Sequence, residues 1–223
     1  MSKSRLEAFT DGVLAIIITI FVLDLGSPEN GTIKALMRLD YHFFIYFLSF
    51  LTVAIYWINH HHLLQITNTI SGSVLWLNIF LLLFLSLFPF ATSWVSDNPR
   101  DMAPEMFYAG IMLVADVVWL FLAKALIKEN GSNSRIAMAL DGSRKSQITI
   151  VAIVLGIIIG IFLPYAPIIG CIISLLPWFI PDKKIEQYVK EISEEEKTSA
   201  ERIKELRKII HEELEEKDKN PGD

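Results

Sequence analysis

From Tyr41 to Ser96 the chain runs 56 residues without a single Asp, Glu, Lys or Arg, and from Ser146 to Pro181 another 36. A soluble helix keeps one polar face, whereas long uncharged, mostly apolar stretches belong in hydrocarbon. This feature defines an integral membrane protein and excludes a soluble enzyme, a secreted disulfide scaffold and a nucleic-acid binder as first readings. Charge is concentrated instead at the end of the chain: 24 of the 45 charged residues lie between Asp182 and Asp223. The chain therefore divides into a membrane domain over 1–181 and a charged, helical, cytoplasmic tail over 182–223. Neither part is a basic arm, and the single cysteine, Cys171, allows no intrachain disulfide. Lys3 and Arg5 precede an apolar stretch from Gly12 to Leu23 as in a signal peptide. Glu7 and Asp11 interrupt the basic region, however, and Asp24 stands where small cleavage-site residues belong, so the segment is read as retained.

At about 20 residues per crossing, the apolar sequence divides into six spans, giving an all-α fold. They are Ala8 to Leu25, Tyr41 to Ile58, Ser73 to Val95, Met106 to Ala123, Ser146 to Leu163 and the shorter Ala166 to Ile180. Orientation follows from short-loop Lys and Arg. With the N-terminus inside, the inner segments hold Lys3, Arg5, Lys124, Lys128, Arg135, Arg144, Lys145, Lys183 and Lys184, and the outer loops only Lys34, Arg38 and Arg100. Both termini are therefore expected in the cytoplasm. The sequons at Asn30 and Asn130 then fall on opposite sides and are read as chance matches. In the tail, Ile185, Val189, Ile192, Ile203 and Leu206 sit among Glu and Lys, a pattern for one or two amphipathic helices.

The first span differs from the others. Only 12 uncharged residues separate Asp11 from Asp24, so the two carboxylates stand about 20 Å apart along a helix, less than the ~30 Å hydrocarbon core. Such a helix calls for water or partners inside the protein, and symmetry-related copies around an axis would turn that water path into a pore. Ile16, Ile20 and Leu23 recur at i, i+4 and i+7, with Thr19 beside them. Rings of branched aliphatic side chains constrict a pore by close fit and dewetting. Thr19 would add a polar contact there, and Asp24 a carboxylate ring that gathers cations at the outer mouth. The same spacing is equally that of ordinary core packing.

Arg5-Leu6-Glu7-Ala8-Phe9-Thr10-Asp11 opens this helix. The stretch resembles the R-x-x-x-F-S-D signature of the transmembrane protein 175 family of endosomal and lysosomal potassium channels and their prokaryotic relatives, with Thr10 replacing serine. A second segment, Trp57-Ile58-Asn59-His60-His61, is similar to that family's W-x-x-H-H. The resemblance implies a homotetramer when one six-helix repeat is present, with the pore lined by the first helix and no reentrant filter loop. It implies that Ile16, Ile20 and Leu23 form the hydrophobic gate, that Thr19 forms the layer linked to potassium preference, and that potassium is the permeant ion with no cofactor. It also implies an inner network joining Arg5, Phe9, Thr10 and Asp11 to Trp57 with His60 or His61. Arg5 and Asp11, six residues apart, do not face each other.

Other residues point to architecture. Asp116 lies mid-span without a partner at i±3 or i±4, as a structural acid or a proton-sensing group. Gly156 to Gly160 suits close helix packing. His60, His61 and His62 diverge by about 100° each and share no metal-coordination point. No nucleophile with its base and no phosphate-cradling loop is present, so an enzyme is not expected. The reading is a passive, potassium-preferring channel in the plasma membrane, whose partners are copies of itself and the lipid bilayer. The alternatives are a proton-permeable or non-selective cation channel, then a secondary transporter or a non-conducting scaffold.

Overall fold

In hydrocarbon every backbone N–H and C=O needs an internal partner, and a helix supplies them all within one segment. The computed structural model follows that rule: it describes residues 2–140, 144–180 and 183–219, and every regular element among them is helical. In chain order these are α1 (Lys3–Asp24), α2 (Ile33–Met37), α3 (Asp40–Gln65), α4 (Gly72–Leu85), α5 (Phe88–Asp97), α6 (Met102–Asn130), α7 (Arg135–Leu140), α8 (Lys145–Gly160), α9 (Ala166–Leu175) and α10 (Lys183–Lys219). The boundary expected between residues 181 and 182 lies outside the described residues.

Four segments are long and apolar enough to cross a membrane: α1, α3, α4 continued by α5, and α6. The expected third span is broken rather than straight. Pro89 lies in the first turn of α5 and cannot donate a hydrogen bond, so the helix restarts at Phe88 after Ser86 and Leu87. By contrast α3 runs seven residues beyond its expected end, because Leu63 and Leu64 continue its buried face and carry the three histidines with them as helix. The apolar helices α8 and α9 are shorter, at 16 and 10 residues. Prolines bound them: Pro164 and Pro167 follow α8, and Pro177 converts the end of α9 into a 3-10 turn over Leu176–Phe179.

Helix α6 is the central post, touching α4, α5, α8 and α9 and burying Tyr108, Ala109, Met112, Ala115, Leu122 and Leu126. Helix α1 packs against α3, α4 and α5. Polar clasps fix the connections. Thr32 caps α2 by accepting from the Ala35 N–H and donates to Asn30 Oδ1 at 2.6 Å. Asn130 holds the α3–α4 connection through the N–H groups of Asn68 and Thr69, both at 3.0 Å. The asparagines of both sequons are thus engaged internally. In the tail, α10 is one continuous helix that lays Ile185, Val189 and Ile192 on the body, and Glu195 accepts from Arg135 at 2.7 Å. Beyond them Ile203 and Leu206 are exposed.

Candidate functional site

The sequence of α1 writes two faces. Leu6, Thr10, Leu14, Ile17 and Phe21 recur at spacings of three and four and are buried against the neighbouring helices. The opposite face carries Arg5, Phe9, Gly12, Ile16, Thr19 and Leu23, all exposed. Leu23 at 77% and Ile16 at 62% are among the most uncovered large apolar side chains in the chain. Ile20 lies on the shoulder between the faces, half-buried, and Asp24 is exposed at the helix end. Four of the five expected pore positions therefore stand free of the chain's own packing.

Thr19 has a particular chemistry. Its hydroxyl donates to the Ile16 carbonyl at 2.8 Å. The hydrogen is spent on the helix itself, so the oxygen lone pairs remain as acceptors on the exposed face. An oxygen that only accepts suits a cation.

Buried apolar contact alone would hold α1 weakly, since lipid tails are as apolar as leucine and give helices no hydrophobic incentive to associate. Polar contacts therefore set its position, and they cluster at the N-terminal half. Trp57 Nε1 on α3 donates to Asp11 Oδ1 at 2.8 Å, and the His61 ring stacks on Trp57 with centroids 6.0 Å apart. On the buried side, Asn78 of α4 donates its amide N–H to Thr10 Oγ1 at 3.0 Å and meets His60 Nε2 through its amide oxygen at 2.6 Å. An amide oxygen only accepts, so His60 Nε2 carries the hydrogen. All three side chains are buried. Lys3 adds a bond to the Gln65 carbonyl at the end of α3.

The two sequence motifs thus meet, at Asp11 with Trp57 and at Thr10 with His60, and the second meeting runs through Asn78, which sequence reasoning did not single out. The signal was there to see: Asn78 is the one amide in the otherwise apolar α4, and an isolated polar group at membrane depth seeks a partner. Arg5 and Phe9 do not join this network. Both are exposed on the open face, and the Arg5 side chain has no hydrogen bond or ion pair among the described residues. Asp116, without a partner on its own helix, receives the Tyr56 hydroxyl from α3. Its second oxygen has no partner among the described residues, and Asp116 helps line a cavity of about 10 Å³ beside Trp119 and Trp178. Elsewhere Thr92 donates to Ser49 Oγ at 2.7 Å, and Ser49 bonds the Tyr108 hydroxyl at 3.0 Å, joining α5, α3 and α6. Among the described residues no cluster of three or more metal-ligating side chains occurs.

Fold and site together define an all-helical membrane protein whose first helix is clamped by buried polar bonds on one face and left open on the other. The family model for the endosomal/lysosomal potassium channel TMEM175 matches residues 5–89. The potassium channel HX13_20290 of a Chryseobacterium strain is 42% identical over 191 residues, which are 86% of this chain and the whole of that one. The endosomal/lysosomal proton channel TMEM175 of Danio rerio is 31% identical over 118 residues, 48% of this chain and 23% of its own length. In fold, the chain is similar to the crystal structure of a lysosomal potassium-selective channel TMEM175 homolog from Chamaesiphon minutus. The TM-score is 0.69, at 21% identity over 81% of this chain and 98% of that one. The chain belongs to the TMEM175 family, a channel family and not an enzyme family.

Proposed function

We propose that the protein is a potassium-preferring channel formed by four copies of the chain around their α1 helices. The observation that carries this reading is the open face of α1. A helix whose buried side is anchored by Asp11–Trp57 and Thr10–Asn78–His60, and whose other side offers Ile16, Thr19 and Leu23, suits a pore lining. Ile16, Ile20 and Leu23 constrict the path, Thr19 supplies hydroxyl oxygens to a partly dehydrated cation, and Asp24 draws cations to the outer mouth. The relative named a potassium channel supports the choice of ion. All six apolar segments cross the bilayer in this reading, the short α8 and α9 as a hairpin beside α6. Residues 1–181 form the channel and 182–223 a cytoplasmic tail, with both termini inside a plasma membrane.

A second reading, proton permeation through the same path, is favoured by the vertebrate relative named a proton channel. Purified protein reconstituted in planar bilayers under opposed potassium, sodium and proton gradients tests both. Reversal near the potassium equilibrium potential supports the first reading. Reversal near the proton potential supports the second, and no current at any gradient defeats both.

A further inference from the structure

A groove of about 660 Å³ runs along the outer side of the α8–α9 hairpin. Its floor is a glycine contact. A Cβ on Gly156 would stand 2.9 Å from the Ala166 carbonyl oxygen and 3.0 Å from Gly170 Cα, so the two helices touch backbone to backbone. Larger side chains rise on either side as walls: Val151, Leu155 and Ile159 from α8, Ile169 and Ile173 from α9, each about half exposed. The groove is apolar over most of its length, with Gln147 and, at the residue preceding α8, Arg144 as its polar lining.

Three features of that end identify an occupant. Among the described residues Arg144 is the one charged side chain lining the groove, and its guanidinium has no hydrogen bond or ion pair with any of them. The positive end of the α8 helix dipole lies at the same place and adds to that charge. Among the described residues no carboxylate lines the groove to pair with the cationic part of a zwitterionic headgroup. In length, the 16 residues of α8 rise about 24 Å, more than one leaflet of the ~30 Å hydrocarbon core.

We propose that this groove binds an anionic phospholipid. One acyl chain lies over the Gly156–Gly170 floor, and the phosphodiester is held by the Arg144 guanidinium, whose fork geometry suits two phosphate oxygens. The site rests on the membrane placement of the hairpin and not on the pore reading, since the packing partners of α1 are α3, α4 and α5 and not the hairpin helices.

Native mass spectrometry of the delipidated full-length protein, titrated with dioleoyl-phosphatidylglycerol and separately with dioleoyl-phosphatidylcholine, tests the proposal. The first phosphatidylglycerol should bind about tenfold tighter than the first phosphatidylcholine, about 1.4 kcal/mol. Arg144→Gln should erase that preference while leaving phosphatidylcholine binding unchanged. Val151→Trp, a change at an exposed wall position, should weaken both lipids by filling the groove, and it serves as the readout if Arg144→Gln does not fold. Equal affinity for the two lipids in the unaltered protein, or phosphatidylglycerol binding unchanged in the folded variants, overturns the proposal. So does disulfide crosslinking between chains of a Val151→Cys variant in vesicles, which would show a second copy covering the groove.

Discussion

Asn78 is the residue on which the placement of α1 turns, and Asn78→Leu is the perturbation that tests it. Leucine keeps the branched outline of the side chain and favours the helix, but removes both amide bonds, to Thr10 Oγ1 at 3.0 Å and to His60 Nε2 at 2.6 Å. Interhelical hydrogen bonds in membrane proteins average about 0.6 kcal/mol, which sets a floor near 1 kcal/mol for the pair. The orphaned His60 donor raises the cost toward about 3 kcal/mol, because a buried unsatisfied group costs roughly 1–3 kcal/mol. Thr10 adds little, since its hydroxyl can turn back to a carbonyl one turn earlier in α1. At roughly 2–4 °C per kcal/mol for a chain of this size, thermal unfolding in detergent should shift down by about 3–10 °C. The bonds share one amide, so Thr10→Val combined with Asn78→Leu should cost less than the sum of the two single changes, by about 0.5–1 kcal/mol. An unfolding temperature unchanged to within about 1 °C, or a strictly additive cycle, would refute the view that this buried triad positions the helix.

Trp57→Phe keeps the ring that stacks on His61 but loses the 2.8 Å bond to Asp11. It should lower the unfolding temperature less than Asn78→Leu, because that carboxylate is exposed to water in the single chain. Tyr56→Phe strips Asp116 of its one hydrogen bond within the core and should cost about 1–3 kcal/mol. Adding Asp116→Leu should restore part of the loss, measurable in the same thermal assay. Gly156→Leu should damage the hairpin severely, as should Gly170→Leu, since the first side-chain atom at either position would already press on backbone at 2.9 Å; reduced recovery of folded protein by size exclusion checks it.

The membrane class and the extent of the apolar body were legible from the two uncharged runs, because hydrocarbon imposes helices on any backbone that enters it. On α1 the sequence offered only the spacing of Ile16, Ile20 and Leu23 with Thr19, which suits pore lining and core packing alike; the buried face of Leu6, Thr10, Leu14, Ile17 and Phe21 emerges from the packing of α1 on its neighbours. What the sequence left open was pairing between helices. Asn78 and Thr10 are 68 residues apart, and Tyr56 and Asp116 are 60 apart; no periodicity within one helix joins them. The break at Pro89 was written locally but hidden by the hydrophobicity around it, and the internal duties of Asn30 and Asn130 lie in loop geometry that composition does not encode. The motif resemblance pointed to Trp57 with His60 or His61 as partners of the first helix, and it placed Arg5 among them, whereas in the single chain Arg5 stays on the open face.

The central claim is that the open face of α1 lines the ion path, and cysteine accessibility under current recording measures it directly. The native Cys171 is fully buried and leaves the background clean. In reconstituted protein, a cationic, membrane-impermeant methanethiosulfonate reagent should reduce the potassium current of a Leu23→Cys variant and leave that of a Leu14→Cys variant, on the buried face, unaffected. A Leu23→Cys variant that is modified, as mass spectrometry would register, yet conducts as before would contradict it.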